Sequence, residues 1–170
     1  MATIDLNRMS KDEFVERYGG IYEHSPWIAE SAWHSLQGQD KLPLDSLRSE
    51  MRGIVDEANY QLKLDLLQAH PELAGKAAID GKLTAESTEE QASARLDLCS
   101  KEEFDQFHVL NAQYNEKFGF PFIIAVKGRV RAEILAAFNK RVGNSIEDEF
   151  KTAIEQVHQI ASLRLDALDG

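Results

Sequence analysis

FPFIIAV, residues 120–126, is the one strand-like run in this chain. Branched and aromatic side chains fill it, as they fill strands. Whether it pairs with a neighbour decides the fold class. Every other segment carries the punctuation of a helix, so a lone strand here has nothing to pair with. The run is therefore read as a buried extended connector near 120–127.

The segments on either side follow helical rules. Upstream, Ser100-x-x-Glu103 forms a capping box that opens a helix with Phe104, Phe107, His108, Asn111 and Tyr114 along one side. Gly119 closes it in the left-handed cap position. Ser87-x-x-Glu90 opens another helix through about Leu98. The stretch ELAGKAAIDGKL before it, with two glycines and little periodicity, reads as a loop. From Leu44, the residues Leu47, Met51, Ile54, Val55, Ala58, Leu62 and Leu66 fit one long amphipathic helix. It ends at His70-Pro71, because proline disfavours the α conformation in the residue before it.

Ser25-Pro26 offers a cap and a first-turn proline for WIAESAWHSL. Ser10 and Glu13 box a short helix through Tyr18, ended by Gly19-Gly20. Downstream, helices are expected at about 130–142 and 146–168, separated by Gly143-Asn144-Ser145. No repeat or linker interrupts the chain. The expectation is an all-α single domain over 1–170, a bundle of about seven to nine helices.

The formal charge of −10 and a pI near 5.0 repel nucleic acid and anionic membranes, which excludes them as partners. An anionic substrate would need a local cation to hold it. No apolar run approaches the length of a membrane span. The N-terminus lacks a secretory pattern and the C-terminal LDALDG carries no peroxisomal tripeptide, so a soluble cytoplasmic protein is expected. The single cysteine, Cys99, reads as a buried thiol. No HxxxH, HExxH or CxxC spacing occurs, and no metal site is expected. GxGxxG, Walker A and GxSxG sequences are also missing.

Three residues invite chemistry. His70 ends a helix, where it can complement the negative end of the dipole or, protonated, donate a proton near neutral pH. Glu90 completes a capping box, or joins Ser87, Gln91 and free N–H groups in a polar nest for a carbonyl or carboxylate; Thr88 and Glu89 on the same turn read as solvent-facing. Arg164 falls on the apolar stripe of Phe150, Ile154, Val157, Ala161 and Leu168. It either snorkels out of that face or points a planar guanidinium into a pocket, for a carboxylate or imide. His24 and His34 read as exposed, His108 as lining the core side of its helix, and His158 as lying toward the polar side of the last one.

Taken in order, FVERYGGIYEHSPWIAESAW, HPELAGK, LTAESTEEQASARLD, FHVLNAQYNEKFGFPFIIAVKG and IASLRL resemble the 2-oxo-4-hydroxy-4-carboxy-5-ureidoimidazoline (OHCU) decarboxylases. The likeness covers nearly the whole chain. It implies an all-helical domain, often a homodimer, that acts late in urate breakdown. Such a domain takes the product of hydroxyisourate hydrolase to (S)-allantoin with no metal or organic cofactor. It also implies site residues. The catalytic histidine falls on His70, followed by Pro71, and its acidic partner on Glu90 within the substrate-contacting stretch Ser87, Thr88, Glu89, Glu90 and Gln91. A segment touching substrate through backbone groups falls on Phe122, Ile123, Ile124, Ala125 and Val126, and an arginine of the last helix on Arg164. Two other classes stay open: a non-catalytic helical interaction module, and a hydrolase or isomerase acting on a related ureido ring.

Overall fold

Capping chemistry sets the helices of the structure, a computed structural model that describes residues 2–73 and 100–169. These residues are predominantly helical, as expected. They form two compact units, Met1–Ala69 with His158–Gly170, and His70–Val157.

In the first unit, α1 (Lys11–Tyr18) opens on the Ser10/Glu13 capping box. Helix α2 (Trp27–Ser35) packs on α1 and on α3 (Leu44–Glu57). Ser25 does not cap α2 with its side chain. Its hydroxyl donates instead to the Glu23 carbonyl at 3.0 Å, and Pro26 takes the cap position. Phe14, Ile28, Ala32, Leu47, Met51 and Val55 are buried apolar residues of these three helices.

The single long helix expected from Leu44 is two helices. Ala58 turns extended at ψ 154°, and Asn59 restarts the chain as α4 (Tyr60–Gln68), its side chain accepting from the Leu62 N–H at 2.9 Å. An asparagine side chain competes with the backbone for that N–H, and so begins helices better than it continues them. The restart shifts the stripe: Leu66 and Leu67 are buried, while Leu62 is 37% exposed. A second feature has no helical signature. Strand β1 (Thr3–Asp5) pairs antiparallel with β2 (Lys41–Pro43), placing Ile4 opposite Leu42, both buried. Runs this short fall below any readable alternation.

The second unit follows expectation closely. Helix α5 (Lys101–Phe118) opens on the Ser100/Glu103 box and closes on Gly119 at φ 77°. Its buried residues include Phe107, Leu110, Asn111 and Tyr114, but His108 is exposed, its ring stacked beside Phe104. Residues 120–126 run extended and fully buried without joining any sheet among the described residues. Helix α6 (Arg131–Arg141) follows and packs on α5. Phe122 stacks on Phe138 of α6 at 3.9 Å, while Tyr114 meets both rings edge-on. The last helix, α7 (Ile146–Asp169), supplies residues to both units.

At the end of α7, Asp169 accepts hydrogen bonds from Arg17 and from the Tyr18 hydroxyl. Burial works to raise its pKa, but these donors prevail and hold the carboxyl below its usual range. A depressed folded pKa adds stability above the unfolded value, and that stability is lost as pH falls through the folded one. Asp169→Asn should therefore flatten the acid limb of the stability curve below about pH 4, measured by urea unfolding across pH.

Candidate active site

His70 stands two residues beyond the last helical residue of α4, in a bend, and both it and Pro71 are half-buried. The residues that follow are pinned by α5. Asn111 donates through Nδ2 to the Leu73 carbonyl at 3.1 Å. Asn115 donates to the Glu72 carboxylate and to the Asn111 carbonyl. Two asparagines one turn apart thus fasten the chain immediately after the His-Pro pair. Ser87, Thr88, Glu89, Glu90, Gln91 and Cys99, with the helix expected through Leu98, lie outside the described residues.

Phe122 to Val126 are all buried, and side chains satisfy part of their backbone. Arg141 donates to the Ile123 carbonyl at 2.7 Å, Gln156 accepts from the Ala125 N–H at 2.9 Å, and Arg129 donates to the Ala125 carbonyl at 2.9 Å. Between them, Ile124 takes no backbone hydrogen bond among the described residues. Arg141 is itself fixed. Its guanidinium lies over the Phe122 ring and forks onto Glu149, which is fully buried and also accepts from Tyr114 and Asn144. Burial, and then the bond to Glu149, drive the Tyr114 pKa far above its ordinary value, so its hydroxyl stays protonated and donating.

Arg164 belongs to the first unit and does not snorkel. It is 6% exposed, and its Nη1 meets Glu23 Oε2 at 2.7 Å with Glu23 itself 2% exposed. Periodicity could not find Glu23, because it sits in the turn between α1 and α2. His158 departs from expectation: it is 4% exposed rather than polar-facing. Its Nδ1 lies 2.8 Å from the Tyr22 hydroxyl and its Nε2 2.9 Å from Asp56. Ile154, Ala161 and Leu165 share its helical face, so the apolar face is wider than the stripe through Arg164, and Leu165 was the available signal. His158 also borders a cavity of about 370 Å³ in the first unit, with Arg48, Arg52, Met51 and Leu165; Arg164 is not in its wall. Among the described residues no three His, Cys, Asp or Glu side chains group to hold a metal ion, and no helix is long and apolar enough to cross a membrane.

A helical chain with these paired buried groups matches the family model described as OHCU decarboxylase over residues 7–166, and the chain belongs to that family. A Haloferax volcanii protein named 2-oxo-4-hydroxy-4-carboxy-5-ureidoimidazoline decarboxylase is 44% identical over 160 residues, which cover 94% of this chain and 91% of that protein. The uric acid degradation bifunctional protein of Bacillus sp. strain TB-90 is 37% identical over 163 residues, 96% of this chain but only 31% of that one. Among solved structures, a crystal structure of (S)-allantoin synthase superposes with a TM-score of 0.74 at 33% identity; the match covers 96% of this chain and 52% of that one.

The clamp on residues 122–126 can be tested directly. Arg141→Met leaves Glu149 buried without its cation, which should cost about 3 kcal/mol. The melting temperature should fall by about 6–12 °C, read by circular dichroism.

Proposed function

We propose that this chain catalyses the decarboxylation of OHCU to (S)-allantoin in urate breakdown, acting over 1–170 as one domain. The observation that carries the reading is the Haloferax volcanii relative, which bears that activity's name and aligns over nearly all of both chains. The (S)-allantoin synthase likeness supports the handed product. As the name states, a hydroxyl and a carboxyl share C4 of the substrate ring, and the ureido group sits on C5, which the imidazoline double bond joins to nitrogen. When the C4–carboxylate bond breaks, carbon dioxide leaves and its electron pair enters the C4–C5 bond, displacing charge onto the ring nitrogen. The C4 hydroxyl then gives up its proton to become a carbonyl, the ring nitrogen takes up a proton, and a proton delivered to C5 creates the stereocentre.

Each step can be met by side chains and peptide groups. His70 delivers the proton to C5 from one face, which selects the (S) product. Glu90 orients the imidazole. Arg164, Gln91 and the peptide groups of Phe122 to Val126 hold the ring and meet the developing charge, a task for fixed hydrogen-bond donors. Pro71 ends the helix before it and fixes where His70 points. We further propose a cytoplasmic homodimer that needs no metal or organic cofactor and is linked in function to hydroxyisourate hydrolase. The bifunctional relative, of which this chain matches about a third, fits such a link.

The test is to follow freshly made substrate by circular dichroism with and without the protein. Spontaneous decay gives racemic allantoin, so catalysis should appear as faster loss together with one hand of product. His70→Ala should lower kcat by about a hundredfold or more while the far-ultraviolet spectrum stays helical; wild-type turnover in that variant would end the assignment. Exhaustive chelation should leave activity intact, and a loss restored by added zinc would reverse the cofactor-free reading.

A further inference from the structure

The turn joining α1 to α2 carries a buried acid that the mechanism above leaves unused. Tyr22 and Glu23 are both buried there, and each reaches the last helix: Tyr22 at His158, and Glu23 at Arg164. The same Arg164 nitrogen points toward the Gly20 and Ile21 carbonyls at 3.4 and 3.5 Å. The turn is held in shape from within. Ser25 donates its N–H to the Tyr22 carbonyl and its hydroxyl to the Glu23 carbonyl, at 3.1 and 3.0 Å. His24, between Glu23 and Ser25, adopts φ 49°, a left-handed conformation that strains a non-glycine residue. Its ring lies 3.7 Å from the second Glu23 oxygen.

Stability is a poor reason for this arrangement. A buried ion pair rarely outperforms well-packed apolar side chains of the same volume, and the strained turn adds its own cost. What the pair supplies is orientation, since a carboxylate on one edge of a guanidinium fixes the plane and direction of the others. We propose that Glu23 is the positioning residue for Arg164, holding its guanidinium so that it grips the substrate ring as a directed hydrogen-bond donor rather than as a net positive charge. This rests on the reading in which Arg164 contacts substrate.

Steady-state kinetics of the full chain on OHCU separate the alternatives. Glu23→Gln removes the charge and keeps the shape. It should raise KM and lower kcat, so that kcat/KM falls about tenfold or more while the helical spectrum is retained. Glu23→Asp, which keeps the carboxylate on a shorter stem, should give an intermediate KM. In an Arg164→Gln background, Glu23→Gln should add no further change. Wild-type KM and kcat in folded Glu23→Gln, with only the melting temperature lowered, would make Glu23 a structural pin and overturn the proposal. If that variant does not fold, Glu23→Asp decides: a raised KM supports positioning, and a wild-type KM overturns it. An inactive wild-type chain would overturn the function itself, and this inference with it.

Discussion

An extended segment that joins no sheet among the described residues takes hydrogen bonds from side chains, and residues 120–126 find them in Arg141, Gln156 and Arg129. The arginine at the centre could not be buried alone. Glu149 neutralises it, Tyr114 and Asn144 occupy the remaining carboxylate sites, and the Phe122 ring covers its face. Helices α5, α6 and α7 each contribute to this one cluster, so the connector is where their packing converges. The stacked pair of Phe122 and Phe138 fills the space beside it.

That cluster explains why a strand-like sequence need not make a strand. The run was legible as a buried connector because no neighbouring segment could pair with it, and the structure agrees. Other features were legible for equally local reasons. A serine and a glutamate three residues apart satisfy each other's backbone, so the Ser10 and Ser100 capping boxes formed as written. Gly119 took the left-handed cap that only glycine takes without cost.

The misses share a different origin. At Ala58-Asn59 an unbroken apolar pattern concealed a side-chain cap, which acts on one N–H and leaves no trace in periodicity. The β1–β2 pair depends on register between segments far apart in sequence. Arg164 was visible as a cation on an apolar stripe, but its partner was not, because Glu23 lies at the opposite end of the chain in a turn without periodicity. His158 is buried because the apolar face of the last helix extends past the stripe through Arg164 as far as Leu165. Pairings between buried polar groups are tertiary facts, and family resemblance supplied residue roles that local rules left open.

The Tyr22–His158–Asp56 chain has a direction. An ionised carboxylate only accepts, so His158 Nε2 must carry the hydrogen directed at Asp56. In the neutral ring Nδ1 is then the acceptor, and the Tyr22 hydroxyl must donate to it. One tautomer is thereby selected by atoms belonging to three separate elements of the first unit.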